Sequence, residues 1–243
     1  MNYFPIVWDF LAEIWNFTAM TINEFLVKYL HISKKEAFRL IQEGVIEVNN
    51  LPAQQMQRVM KHEAVSVNGI CVQESITFQY IAFYKPRGIE CTLNPDVPDN
   101  LLTVINFSEH LFPIGRLDKE SEGLLILTND GKLYNQIALA DSYKEKEYIV
   151  KVDKELSENA VELLASGSIA ILGKPTRPAE VKKIDSNTFR IILTQGINRQ
   201  IRRMCHKIGY EVISLKRIRV SSEELKDLKP GEYRMLNRNE ISN

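Results

Sequence analysis

The chain has 243 residues, 44% apolar and 26% charged, with Lys plus Arg and Asp plus Glu at 31 each. Those are the values of an ordinary globular protein and exclude a disordered or fibrous chain. The zero net charge gives no global sign of a nucleic-acid partner, so the distribution of charge has to carry that question. Cys71, Cys91 and Cys205 lie far apart, and His31, His62, His110 and His206 are scattered. Without C-x-x-C or H-E-x-x-H spacing, neither a disulfide framework nor a metal centre is expected, and a reducing, cytoplasmic compartment fits. No run approaches the roughly 18 apolar residues of a membrane span.

Residues 1–19 are read as an appendage. Phe4, Val7, Trp8, Leu11, Ile14 and Trp15 recur at helical spacing, with Asp9, Glu13 and Asn16 between them and no Lys or Arg at all. The absence of a basic n-region argues against a secretory signal. A packed or partner-seeking amphipathic helix, a membrane-surface helix, and an upstream start codon ahead of Met20 are the three readings of this segment.

From Thr21 the pattern strengthens. Ile22, Phe25, Leu26 and Tyr29 mark one face of a helix that Thr21 or Asn23 can cap. Ser33-Lys34-Lys35-Glu36 is a Ser-x-x-Glu capping box opening a second helix, whose buried stripe is Ala37, Leu40 and Ile41 and which Gly44 ends. Residues 45–48 read as a strand entering an Asn49-Asn50 turn, and 65–67 as a strand before Asn68-Gly69. This unit, residues 20–77, resembles the S4 RNA-binding domain in its helix pair, its Ser-Lys-Lys-Glu entry, and Ile41-Gln42-Glu43-Gly44 leading to Val48-Asn49. The resemblance implies that Lys34, Lys35 and Arg39 contact phosphates. Residues 21–77 hold six bases and six acids, so the unit is expected to orient RNA weakly.

A second domain is expected over 78–243. Residues 80–84 are strand-like and stop at Lys85-Pro86-Arg87-Gly88; Pro95, Pro98 and Asp99 mark a loop before the apolar run 101–105. Further strands are predicted at 124–127, 148–152, 179–183 and 189–193, and helices at 132–139, 157–166 and 198–207. Strands and helices do not alternate regularly, which argues against a doubly wound sheet and for an α+β fold with a largely antiparallel sheet. Gly167 to Lys174 superficially resembles a phosphate loop. It has five residues between its glycines, and Pro175 stands where a magnesium-holding Ser or Thr would be.

The most informative segment runs from Gly115 to Gly131, GRLDKESEGLLILTNDG, a charged loop feeding an apolar strand. Asp118 sits between Arg116 and Lys119; surrounded by cations in space, its carboxylate would stay ionised and could act as nucleophile or base. A lone aspartate in a turn is more often structural. The run G-R-L-D-x-x-S-x-G-L-L-I-L-T-N-D-G resembles the signature of the RsuA/RluB/RluE/RluF family of ribosomal RNA pseudouridine synthases. Three further stretches resemble that family's motifs in order: Lys85-Pro86-Arg87-Gly88, Lys144-Glu145-Lys146-Glu147-Tyr148-Ile149-Val150, and Gln195-Gly196-Ile197-Asn198-Arg199-Gln200-Ile201-Arg202-Arg203-Met204-Cys205. The wording around Asn198–Cys205 and Gly209-Tyr210-Glu211-Val212 is similar to the RluF branch, whose members act on 23S rRNA.

This resemblance implies the isomerisation of a specific uridine to pseudouridine in large-subunit rRNA, with no cofactor. It implies Asp118 as the catalytic aspartate, Tyr148 as the active-site tyrosine, able to stack on an extruded uracil, and Arg202 as the basic residue that pairs with the aspartate. Residues 190–219 hold eight Lys or Arg against one acid, a stripe suited to a phosphate backbone. From it come Arg199, Arg203 and Lys207 as RNA-contact candidates, joined by Arg87 and Arg116. Naked rRNA and an assembly intermediate are both open as substrate, and a monomer is expected. The rival reading is a non-catalytic S4-containing RNA-binding or ribosome-assembly factor, which would be expected to have lost one of Asp118, Tyr148 and Arg202.

Overall fold

Thr21 and Glu24 start the first helix by satisfying each other's backbone: the Glu24 amide donates to Thr21 Oγ1 at 3.3 Å and the Thr21 amide to Glu24 Oε2 at 2.8 Å. Such a closed box occupies two of the donors a helix start leaves unpaired. The computed structural model describes residues 20–105, 111–138 and 143–241; the expected helix in residues 1–19 lies outside them. Two compact units divide at Phe78/Gln79.

In the first unit, α1 (Ile22–Leu30) and α2 (Lys34–Gln42) bury Ile22, Phe25, Leu26, Ala37 and Ile41. The second capping box closes only halfway. Ser33 Oγ accepts from the Glu36 amide, but the Glu36 carboxylate is taken by Arg39 at 2.6 Å. Short β1 (Met20–Thr21) pairs with β4 (Arg58–Val59). A four-stranded sheet in the order β3-β2-β5-β6 comprises β2 (Ile46–Val48), β3 (Leu51–Pro52), β5 (Val65–Val67) and β6 (Ile70–Gln73). Asn49 and Asn50 both take positive φ, 51° and 64°, the geometry of a tight hairpin turn that asparagine tolerates.

The second unit is built on one sheet of nine described strands, in the order β13-β14-β10-β15-β9-β7-β17. These are β7 (Tyr80–Lys85), β9 (Glu122–Thr128), β10 (Lys146–Val152), β13 (Glu180–Lys183), β14 (Thr188–Leu193), β15 (Val212–Val220) and β17 (Tyr233–Met235). β8 (Phe112–Ile114) adds to β9, and β16 (Glu223–Glu224) to β15. Every pairing is antiparallel except the short parallel contact of β15 with β9. The expected mixed α+β fold with a largely antiparallel sheet is what is found.

Helices α4 (Glu158–Ala165) and α5 (Gln200–Lys207) lie on one face, where Val150, Val152, Phe189, Ile191 and Leu215 meet Leu164, Ile201 and Met204. One difference from expectation stands out, the central strand β15 (Val212–Val220). The apolar run after Asn100 is a single 3-10 turn, Leu101–Thr103, started by the Asn100 side chain accepting from the Leu102 amide. Helix α3 (Gly131–Ala138) is capped by Asp130, and Leu139 of the expected 132–139 helix lies outside the described residues.

The segment 170–175 is a hairpin, β11 (Ala170–Ile171) and β12 (Lys174–Pro175), turning through Leu172 and Gly173 at positive φ. α6 (Arg238–Ile241) closes the unit, with Arg238 3.1 Å from Asp130.

Candidate active site

The loop 115–121 joins β8 to β9 and carries Asp118, one quarter of whose side chain is exposed. The cations that reach this carboxylate come from α5 and the residue before it: Arg199 Nη1 and Arg202 Nε both lie 3.9 Å from Asp118 Oδ2. The sequence neighbours do not take that role. Lys119 turns to Asp99 at 3.3 Å, and Arg116 is exposed. Adjacent residues in an irregular loop point in different directions, so nearness in sequence was a poor guide to nearness in space.

Arg202 is the clamp of this loop. Its Nη1 donates to the Val212 carbonyl at 3.1 Å, and its Nη2 to the Glu120 carbonyl at 3.1 Å and Ser121 Oγ at 3.2 Å. Its Nε is buried and has no hydrogen-bond partner among the described residues. Burial, followed by the neighbouring Arg199 charge, pulls the guanidinium below its ordinary range, though an arginine remains charged. A closure of about 1 Å would turn the 3.9 Å separation into a charge-assisted hydrogen bond. Arg199 adopts a left-handed backbone, φ 53°, at the start of α5 and makes no side-chain cap. That conformation costs about 1 kcal/mol or more for a non-glycine residue. It accompanies a 2.8 Å bond to Glu120, which holds Arg199 above and Glu120 below their usual ranges.

Tyr148 stands on β10, half-buried, opposite Ile191 of β14 and Arg217 of β15. Its ring packs on the helix-covered core, and its hydroxyl makes no hydrogen bond to the described residues. Strand alternation puts Tyr148, Val150 and Val152 on one face. α5, which carries Arg202, covers that same face.

The other candidates divide. Arg87, exposed, reaches the Ile213 carbonyl at 3.4 Å and acts electrostatically on Arg202, so it flanks the site. Arg203 bonds the Asn198 carbonyl at 3.0 Å, and Lys207 is exposed at the far end of α5. Lys34, Lys35 and Arg39 belong to α2 of the first unit. Arg39 is held there by Glu36 and by Glu43 at 2.9 Å, while both lysines are exposed.

The basic run 190–219 does not form one stripe. Arg190 and Arg219 bind Glu147 at 3.2 and 2.7 Å, and also Glu180 and Glu145 respectively, on the face opposite Tyr148. Arg217 is fully buried. Alternation along strands separates charges that a linear count adds together.

Sequence reasoning missed three cations around the loop. Arg217 donates from Nε to the Leu124 carbonyl at 2.7 Å and from Nη2 to the Gly115 carbonyl at 2.9 Å. Lys85 is wholly buried and donates to the carbonyls of Pro86 and Ile89 at 2.8 and 2.7 Å. Burial brings Lys85 down to about 8 against the opposing pull of Cys91 and Glu90, and burial with the Arg217 charge brings Lys146 to about 8. The signal available was position: both lysines stand in motifs already singled out.

A pH dependence of stability follows. An unfolded lysine titrates near 10.4, so from about pH 8 upward the unfolded chain holds protons that the folded one has lost, and stability rises with pH. Buried Cys205, pushed up to about 12, and Cys91, also raised by burial, work in the opposite sense. Their unfolded thiols ionise from about 8.5. Each lysine contributes about 2 kcal/mol between pH 7.5 and 9.5, the Cys205 thiol removes about 1, and Cys91 acts in the same sense as Cys205. The expected net is a gain of about 1–2 kcal/mol, read by urea unfolding at the two pH values. A loss over that window would mean that the lysines titrate normally in the folded protein.

Among the described residues no group of three or more His, Cys, Asp or Glu gathers as a metal site, and no helix is long and apolar enough to cross a membrane. The sequence model of the RNA pseudouridylate synthase family matches residues 79–207. The chain is 39% identical over 226 residues to the dual-specificity RNA pseudouridine synthase RluF of Salmonella typhi, covering 92% of this chain and 78% of that one. It is 33% identical over 218 residues to the ribosomal large subunit pseudouridine synthase B of Bacillus subtilis (strain 168), covering 86% and 88%. A crystal structure of a pseudouridylate synthase shares the fold, with a TM-score of 0.65 and 24% identity over 92% of this chain and 98% of that one.

Proposed function

The chain belongs to the RsuA/RluB/RluE/RluF family of RNA pseudouridine synthases, on its RluF branch, and from this premise we propose that it isomerises a uridine of large-subunit ribosomal RNA with Asp118 as the catalytic group. The observation that carries the assignment of the residue is the pair of guanidiniums, Arg199 and Arg202, 3.9 Å from one Asp118 oxygen. They stand where they can orient the carboxylate, the group that would attack the nucleotide or take a proton from its sugar. The large-subunit target is supported by the relative from Bacillus subtilis, which is named for it.

The reaction breaks the N1–C1′ bond, turns the uracil and rejoins it through C5. The C5 proton leaves and N1 gains one, so nothing is oxidised or reduced. The uridine has to leave its stack to meet Asp118, and Tyr148 offers an aromatic face for the extruded base and a phenol hydroxyl without a described partner. Arg202 holds the loop and faces the aspartate. Arg87, Arg116, Arg199, Arg203 and Lys207 are taken to meet phosphates around that nucleotide. Lys34, Lys35 and Arg39 would meet phosphates elsewhere on the RNA from the first unit, read as S4-like over 20–77 with the synthase domain at 78–243. Arg39 contributes least, because two carboxylates already hold it.

The test is tritium release from rRNA carrying uridine labelled at C5, offered as large-subunit RNA, small-subunit RNA and intact ribosomal particles. Release is expected from large-subunit RNA at about one tritium per molecule, as befits one modified position. Release from small-subunit RNA alone would overturn the target. No release from any substrate would move the reading to a non-catalytic RNA-binding factor.

A further inference from the structure

One face of the sheet carries a row of residues that the strand registers set side by side. Lys85 of β7 lies opposite Gly123 of β9, Gly123 beside Arg217 of β15, and Arg217 opposite Tyr148 of β10. At the centre of that row is a fully buried arginine. Among the described residues no carboxylate pairs with it; its bonds go to the carbonyls of Leu124 and Gly115. A buried charge without a counter-charge is costly, and a well-packed apolar residue would serve stability better. Stability alone does not account for Arg217.

The geometry points to Arg217 as a positioning residue of the isomerisation, which fixes the loop bearing Asp118 relative to the strand bearing Tyr148; this rests on the reading of Asp118 given above. Its two bonds join the first residue of that loop, Gly115, to the strand β9 that follows it. Arg202 grips the other end through Glu120 and Ser121. The Ser121 amide closes the turn on the Asp118 carbonyl at 3.0 Å. The loop is thus held at both ends by guanidiniums, with Asp118 between.

The sequence is arranged to aim Arg217 there. In a regular strand Arg217 and Arg219 would share a face. The pairing of β10 with β15 shifts by one residue between Glu147 and Tyr148, leaving Ile218 as a bulge, and bulges next to active sites re-aim side chains. Arg219 therefore meets Glu145 and Glu147 on one face, while Arg217 faces with Tyr148 on the other. Gly123 lets the Arg217 backbone approach: a Cβ there would lie 2.2 Å from the Arg217 carbonyl oxygen.

The experiment compares Arg217→Lys, Arg217→Gln and Asp118→Ala with wild type, measuring kcat, KM, RNA Kd and the thermal midpoint. Displacing a reacting group by about 1 Å costs on the order of a hundredfold in rate. Both Arg217 variants are expected to fold with unchanged KM and Kd and to lose about a hundredfold in kcat, the Lys variant recovering part through one charge-assisted bond. A kcat within about threefold of wild type would overturn the inference. So would a loss matched by weaker RNA binding or by the unfolded fraction, and so would failure of both variants to fold, since each makes Arg217 merely structural. If Asp118→Ala stays active, the Asp118 reading falls and this inference with it. If Asp118→Ala is inactive and the Arg217 variants are not, this inference alone falls.

Discussion

Replacing Asp118 by Asn is expected to lower turnover at least about a thousandfold while leaving RNA affinity within about threefold, a loss of roughly 4 kcal/mol of transition-state stabilisation. The amide keeps the shape of the side chain and removes the charge that Arg199 and Arg202 face across 3.9 Å. Among the described residues no nearby acid can stand in. Glu120 is bound to Arg199 at 2.8 Å, and Glu122 lies on β9, where its charge acts on the Tyr84 phenol. RNA binding should survive because Asp118 is an acid: it repels phosphates, and its loss removes no cation from the surface. Single-turnover tritium release together with filter binding decides the matter. Turnover within about tenfold of wild type, roughly 1.4 kcal/mol, would remove Asp118 from the chemistry.

The second large effect is on the fold. Gly123→Ala should destabilise the protein by more than about 3 kcal/mol, or prevent folding, because two costs add at one atom. The backbone there has φ 107°, and an added Cβ would meet the Arg217 carbonyl oxygen at 2.2 Å, its amide nitrogen at 2.8 Å and its carbonyl carbon at 3.0 Å. All three are main-chain atoms of the neighbouring strand and cannot swing away. Gly173→Ala is the control. Its φ is 75° but nothing lies within 4 Å of the added atom, so only conformational strain of about 1 kcal/mol should appear. Urea unfolding of the two variants separates strain from collision. Equal losses would show that the contact between β9 and β15 tolerates a side chain.

Local signals were legible where chemistry and period agreed. Ser33 and Asn49-Asn50 are read directly from their side chains' preference for caps and left-handed turns, and β7, β9, β10 and β14 from their apolar runs. β15 was hidden because its period breaks. Leu215 and Arg217 are buried two apart, the bulge at Ile218 follows, and the next buried position is Val220. One of those inward positions is an arginine, a residue almost never fully buried without a partner, so the stretch reads as a basic surface. Of the site, Asp118, Tyr148 and Arg202 came from a family resemblance, since no pattern rule brings residues so distant in sequence together. Their supporting cations belong to tertiary structure, and the flanking Arg116 and Lys119 were the wrong neighbours.

The position of β15 also bears on when the enzyme can exist. This strand, made near the end of the chain, sits between β10 and β9 and joins them. Before Val220 is synthesised, β13, β14 and β10 form one hydrogen-bonded group and β7, β8 and β9 another, with no strand in common. Pairings that link distant parts of a chain form last and slowly. Asp118 and Tyr148 lie on opposite sides of that seam. With β15 unformed, the residues proposed for the site, Asp118 and Tyr148, belong to two groups of strands that share no member of the described sheet, so the isomerisation proposed above should await the pairing of β15.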